Sequence, residues 1–465
     1  MVKAYQATKI QQVMDDILTR IATRQLLVGS KLPSLRKLAQ SLGVSVSTVL
    51  EAYERLIADH QIEVRRGSGY FVLNQKDDMG IDLPKTQAEM ATHPFWVAHQ
   101  ALIAHDAKYT PGCGWLPASW MPESLVRKSL RVALQAKPED LLSYSPVLGF
   151  EPLRDLISQR IQYYGVNLHP DQILLTENGT HALDLICRTW LKPGDVVLVD
   201  DPCYFNFFTL LELLQVRVIA IPLTPNGPDL PAFLEAMQAS PKLYITNSGP
   251  HNPTGASLNI AVAYQVLKMA EQGNMLIVED DVYADFESIP APRYAALSNF
   301  ERVIQVSSFS KSLSAAFRCG YIAAKSEYID LLVKVKIATS FSCNQLNSLL
   351  VYHTLKNAQY RRHMDSVHQR LNETRRFVVA RLEALDIVVW TIPKAGMFLW
   401  CQLPEGIIAE DLVRICKQDR VILAAGTNFS HTQTAQKFMR FNIAQCTDQA
   451  FFDLLEKGLR QLQNK

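Results

Sequence analysis

Four short segments hold side chains whose types and neighbours could do chemistry together. In Ser307-Ser308-Phe309-Ser310-Lys311, a lysine follows the β-branched run Val303–Val306. A lysine at a buried strand end is costly unless it is paired, neutral or covalently engaged. Such a lysine could form a Schiff base with an aldehyde cofactor. Glu279-Asp280-Asp281-Val282-Tyr283 follows the run Met275–Val278. A carboxylate there could keep a pyridine nitrogen protonated and make the ring an electron sink. His251-Asn252-Pro253-Thr254-Gly255 is a rigid turn after Lys242–Thr246 and presents an Asn amide. Asn178-Gly179-Thr180 precedes the helical stretch His181–Trp190, whose first N–H groups could hold a phosphate. Each segment also has an ordinary reading: a solvated lysine, an exposed acid pair, a turn before a helix, a loop glycine.

The elements that must position these groups are legible around them. Val196–Val199, Val216–Ile221, Lys242–Thr246, Met275–Val278 and Val303–Val306 are short apolar runs of strand character. Helical stretches such as His181–Trp190 and Ala261–Gln272 separate several of them. Alternation of this kind predicts an α/β body with a buried, mostly parallel sheet. Polar and glycine residues gather where the strands end, the usual place for a ligand in such sheets.

The chain has 465 residues, long enough for two or three units. Apolar residues make up 48% and charged residues 20%, which fits a globular protein with a large core. No uninterrupted apolar run is long enough to span a bilayer, and the N-terminus MVKAYQATKI lacks the apolar stretch of a signal peptide. The eight cysteines are scattered and none forms a CxxC pair. Neither a disulfide framework nor a metal cluster is expected, and buried reduced thiols in a cytoplasmic protein are.

Net charge is +2 but uneven. Residues 1–74 hold ten Lys/Arg against six Asp/Glu, leaving the remainder slightly acidic. In this basic head, Ile10, Val13, Ile17 and Ile21 mark one face of a helix over Thr8–Thr23. Ser34 is placed to cap a second helix with Leu35, Leu38, Ala39 and Leu42 on one face, and Gly43 to end it. Ser45 can cap a third, with Val49, Ala52, Tyr53 and Leu56 inward. Ile62–Arg66 and Tyr70–Leu73 read as a two-stranded wing around Gly67-Ser68-Gly69. Helix, glycine turn, helix is the arrangement of a DNA-reading unit. Ser45, Val46, Ser47 and Thr48 would then lie near base edges, with Arg36, Arg65 and Arg66 on phosphates. Periodicity alone fits a three-helix interaction module equally well.

The ordered run Gly29-Ser30-Lys31-Leu32-Pro33-Ser34-Leu35-Arg36, then Gly43-Val44-Ser45, Thr48-Val49, Ala52-Tyr53 and the wing Gly69-Tyr70-Phe71-Val72, resembles the DNA-binding domain of the GntR family. Many members carry Arg where this chain has Val46. The body, from about residue 109 to 465, resembles the fold type I, aminotransferase-like enzymes that use pyridoxal 5'-phosphate. That resemblance implies a central sheet plus a smaller α+β subdomain, with Lys311 as the Schiff-base lysine and Asp280 against the pyridine nitrogen. It assigns the phosphate to Ser308, Arg318, Gly179 and Thr180, the ring hydroxyl to Asn252 and Tyr283, and the ring face to Tyr204. Tyr144 would reach the phosphate of a neighbouring subunit, which implies a homodimer, and Arg440 would clamp a substrate or effector carboxylate. Ala315-Ala316 stands where the family often has Pro-Gly.

A GntR-like head on such a body is the organisation of the MocR subfamily of bacterial regulators. The expected layout is therefore a winged helix-turn-helix over 1–74, a linker over 75–108 with a short helix near Phe95–Ala104, and an effector body over 109–465. The implied function is transcription control over a DNA operator through sensing of an amino acid, an amine or pyridoxal phosphate itself. The alternatives are an active aminotransferase with an appended head and a DNA-binding scaffold whose body only dimerises.

Overall fold

A computed structural model describes residues 8–22, 26, 30–58, 61–65, 69–72, 107–163, 165–430 and 432–463. The chain divides into two compact units, Met1–Asp82 and Leu83–Lys465. The expected linker over 75–108, with its helix near Phe95, lies almost wholly outside the described residues, as do the wing turn Gly67-Ser68 and Arg66.

The head comprises α1 (Lys9–Ala22), α2 (Leu35–Leu42), α3 (Val46–Ala58) and the strands β1 (Ile62–Arg65) and β2 (Gly69–Val72). Ser34 caps α2 by accepting from Lys37 N, and Gly43 ends it in the left-handed region at φ 64°, which a residue without Cβ adopts at little cost. Ser45 Oγ accepts from Thr48 N at 3.1 Å at the start of α3. Val13, Ile17, Val49, Ala52, Tyr53 and Leu56 are fully buried in one small core. The Tyr53 hydroxyl is satisfied there by donating to Pro33 O at 3.0 Å. β1 and β2 pair antiparallel, Ile62 opposite Val72. The side chain of Ile21 is outside the described set.

The body is built on an eight-stranded sheet: β3 (Ile173–Thr176), β4 (Val196–Asp201), β5 (Arg217–Thr224), β6 (Gly227–Pro228), β7 (Leu243–Thr246), β8 (Leu276–Asp280), β9 (Val303–Ser308) and β10 (Gly320–Ala323). Their spatial order is β3-β10-β9-β8-β7-β4-β5-β6. β9, β8, β7, β4 and β5 run parallel, whereas β10 is antiparallel to both its neighbours and β6 folds back on β5. The middles of the central parallel strands, such as Val197–Val199 and Leu243–Ile245, are apolar and buried because both faces are covered there. Leu243 and Ile245 enter one core cluster, and Tyr244 between them enters the other. α4 (Gly179–Trp190) and α5 (Ile260–Gln272) are among the covering helices. A smaller four-stranded antiparallel sheet, β11 (Val388–Val389), β12 (Phe398–Gln402), β13 (Ala424–Ala425) and β14 (Phe438–Asn442), forms the second part of the body. Among the described residues no helix is long and apolar enough to cross a membrane. All eight cysteines are buried and unpaired.

One buried cation braces the sheet edge. Lys336, on α6 (Ser326–Thr339), is fully buried and donates from Nζ to Leu175 O at 2.9 Å and to Val147 O. It ties the loop over 144–149 to the end of β3. Lys336→Met keeps the aliphatic stem but deprives these carbonyls of a charged donor. The expected cost is about 2–4 kcal/mol, read as a lower thermal midpoint of the body's unfolding transition.

Candidate functional site

The carboxyl ends of β7, β8 and β9 converge on a cavity of about 480 Å³. Its walls include ten of the residues singled out from the sequence. Lys311, Asp280, Asn252, Tyr283, Tyr204 and Arg440 line it, as do Ser308, Arg318, Gly179 and Thr180. Tyr144 does not line it; this side chain is 81% exposed and lies edge-on to Phe341.

Lys311 stands three residues beyond β9, which runs to Ser308 rather than stopping at Val306. The turn that carries it is fixed by Ser308 Oγ, which donates to Cys319 O at 3.2 Å and accepts from Ser310 N at 3.2 Å. Burial, with the positive charge of Arg440 next, brings the Lys311 amine down from 10.5 to about 8, against the pull of Asp280. A sizeable fraction is therefore neutral and nucleophilic near pH 8.

The three adjacent acids have separate fates. Glu279 accepts from Tyr294 N at 2.7 Å and Ala295 N at 3.0 Å. Asp281 is paired with Arg293 Nε at 2.8 Å and Gln305 Nε2 at 3.0 Å. Both are structural, and all three are buried, not an exposed pair. Asp280, the last residue of β8, faces the cavity with Val282 N 3.3 Å from Oδ1. Burial raises its carboxyl to about 6, while the Val282 N–H, the Asn247 amide and Lys311 oppose the rise.

Arg440 sits on β14 and is 3% exposed. Nη1 donates to Asn252 Oδ1 at 2.8 Å and Nη2 to Gly112 O. The guanidinium lies against the rings of Phe398 and Phe429, 4.5 and 4.6 Å from their centroids. Nε has no hydrogen-bond partner, and no ion pair to Arg440 is found among the described residues. A buried cation satisfied only by neutral oxygens and ring faces is arranged to accept an anion. Tyr283 is buried beside it, and its phenol is pushed up chiefly by burial.

α4 begins at Gly179, so Gly179 and Thr180 are its first turn rather than a loop before it. Asn178 Oδ1 takes the His181 N–H at 3.0 Å, while the N–H groups of Gly179 and Thr180 have no intrahelical acceptor. A Cβ on Gly179 would come within 3.3 Å of Val282 Cγ1, so glycine lets the helix start abut the strand ends. Arg318 holds a left-handed backbone at φ 41°, a costly conformation for a non-glycine residue.

Several lining residues carried no sequence signal of their own. Asn247 Nδ2 donates to Asp280 O at 2.9 Å and braces the acid's backbone. Gly112–Trp115 brings its backbone over the cavity, and Asn428, Phe429 and Phe205 line it. The only clue available for Asn247 was its place one residue past a strand.

In the head, Arg36, Ser45, Val46 and Ser47 are exposed and Thr48 is half-buried. The side chain of Arg65 and the whole of Arg66 are outside the described residues.

Residues 118–457 match the family model for aminotransferase class I and II. The chain belongs to that family. Residues 9–72 match the model for bacterial regulatory proteins of the gntR family. The chain is similar along nearly its whole length to YjiR of Escherichia coli K12, an uncharacterised HTH-type transcriptional regulator, 30% identical over 97% of this chain and 98% of that protein. YdcR of the same organism, also an uncharacterised HTH-type transcriptional regulator, is 28% identical over 94% and 95%. The HTH-type transcriptional regulator NorG of Staphylococcus aureus USA300 is 27% identical over 80% and 86%. Among solved structures, the α-aminoadipate aminotransferase LysN of Thermus thermophilus, complexed with N-(5'-phosphopyridoxyl)-L-leucine, is 25% identical with a TM-score of 0.72 over 79% of this chain and 95% of that one. Pyrococcus horikoshii kynurenine aminotransferase, 22% identical, shares the fold with a TM-score of 0.73 over 84% and 97%.

Proposed function

We propose that this chain is a transcription regulator of the MocR type. Its head binds operator DNA, and its body alters that binding when pyridoxal 5'-phosphate and an amino compound fill the cavity. The observation that carries the reading is a single chain with a gntR-type head and a pocket lined by Lys311, Asp280 and Arg440, together with its similarity over both parts to proteins named HTH-type transcriptional regulators.

The residues present fit pyridoxal phosphate. A cavity near 480 Å³ has room for the cofactor and a small amino compound. A Cβ added to Gly114 would lie 3.8 Å from Lys311 Nζ and 3.9 Å from Arg440 Nη2 and Tyr283 Oη, so glycine keeps the space between these groups open. Asp280 is the one acid of its trio that lines the cavity, and would face the ring nitrogen. Gly179, Thr180, Ser308 and Arg318 would hold the phosphate, Asn252 and Tyr283 the ring hydroxyl, and Tyr204 the ring face. Pyridoxal phosphate, when bound, supplies an aldehyde that condenses with primary amines and a ring that withdraws electrons.

The chain's own residues then do the following. Lys311 presents an amine that is partly neutral at physiological pH. Asp280 stays ionised above about pH 6 and keeps a proton on the nitrogen facing it. Arg440 orients an effector carboxylate through its fork. Tyr144, exposed on its own chain, completes the phosphate site of a second copy, which makes the regulator a homodimer working in the cytoplasm. The effector acts by binding one state of the body better than another.

With the Lys311 amine near 8, loading of the cofactor-free protein is expected to speed up as pH rises through that value. The neutral fraction grows about tenfold between pH 7 and pH 9, and stopped-flow absorbance reads the same factor in the loading rate. The functional reading is tested by retardation of DNA with the loaded protein across a panel of amino acids and amines. A compound-dependent change in DNA affinity supports it. Turnover with an oxo-acid acceptor, with no compound altering DNA binding, supports an aminotransferase instead.

A further inference from the structure

The opening turns of α3 have an unusual make-up for a surface that meets DNA. Val46, Ser47, Thr48, Val49 and Leu50 include no charged and no amide side chain. Val49 is fully buried in the head's core, but Val46 and Leu50, one turn apart, are 44% and 37% exposed. Residues four apart lie on the same flank of a helix.

The hydroxyls beside them are already engaged. Ser45 Oγ lies 2.8 Å from Ser47 Oγ and 2.7 Å from Thr48 Oγ1, in addition to accepting from Thr48 N. Glu51, the next residue, is held by Arg55 at 2.7 Å. Guanine is read in the major groove by Arg or Lys and adenine by Asn or Gln, and this stretch has none of them. What it offers a base edge is two branched aliphatic groups. The apolar feature on the floor of the major groove is the C5-methyl of thymine.

We infer that Val46 and Leu50 are specificity residues of the head, each reading a thymine methyl group within the half-site. The inference rests on the DNA-binding reading above. The same methyl occurs on 5-methylcytosine, so the test uses synthetic DNA in which thymine alone carries it.

The full-length, cofactor-loaded protein is used to enrich binding sites from random synthetic duplexes. Thymines of the enriched site are then replaced one at a time by uracil, which removes only the methyl. Two positions per half-site are expected to lose about fourfold in affinity, the factor for one buried methyl group. Val46→Ala removes the uracil penalty at one of them and Leu50→Ala at the other. Both positions are exposed and alanine favours helix, so both variants keep the fold. Val46→Arg moves the preference at its position to guanine. Equal affinity for uracil and thymine duplexes, or a penalty that survives both alanine variants, overturns the inference while leaving DNA binding intact. Failure to enrich any sequence overturns the DNA-binding reading, and the inference with it.

Discussion

Lys311→Ala is expected to abolish the effector response while leaving the affinity of the unliganded chain for DNA within about twofold. Lys311 is the one lysine among the described residues lining the cavity, so no other amine can take its place at the aldehyde. The visible absorption given by lysine-bound pyridoxal phosphate should disappear with it. Lys311→Arg keeps the positive charge and loses the nucleophile, and the same loss of response is expected. That pairing separates the chemistry of the amine from its electrostatics. Misfolding would not explain the result, because Lys311 is a partly buried cation repelled by Arg440, and removing it relieves that repulsion. The head's own core is formed by its three helices and the β1–β2 pair. Circular dichroism and the thermal midpoint of the variants check this directly.

Arg440→Ala is expected to weaken a carboxylate-bearing effector by about 100- to 1000-fold, the scale of a buried, bidentate charge pair. An effector that is a simple amine should lose far less. The comparison therefore sorts amino acids from amines as the sensed class, and an unaltered response to both would favour sensing of pyridoxal phosphate alone. The substitution has a second readout. Arg440 is one of the causes that lower the Lys311 amine, so its removal shifts the pH dependence of cofactor loading upward from about 8. A general collapse of the pocket would reduce loading at every pH instead of moving the profile.

The parts of the site that sequence reading finds are those tied to a local pattern. Lys311, Asp280 and Asn252 each follow a run of buried β-rich residues, and the end of a parallel strand is where a ligand is sought. Asn178 stands directly before a helix whose later residues show an apolar face. The head is legible for a similar reason: Ser34, Gly43 and Ser45 are local caps, and caps need no distant partner.

What escapes is set by contacts between residues far apart in the chain. Arg440 meets Asn252, 188 positions away, and Gly112, 328 positions away. Its contact with Phe398 follows from the pairing of β12 with β14, and Phe429 reaches it from the segment between β13 and β14; no spacing announces either. β3 and β10 escape although runs as short are legible elsewhere, because Leu174-Leu175 and Gly320 fit helix or turn as readily as strand. The start of α4 at Gly179 is missed because glycine argues against a helix, while here the missing Cβ makes room for Val282.

The most direct test of the account is the DNA affinity of the full-length, pyridoxal phosphate-loaded protein, titrated with amino acids and amines and repeated with Lys311→Ala. At least one amino compound is expected to change the affinity of the parent chain by tenfold or more and to have no effect on the variant. A parent chain whose DNA affinity is unmoved by every compound, or a variant that responds as the parent does, contradicts it.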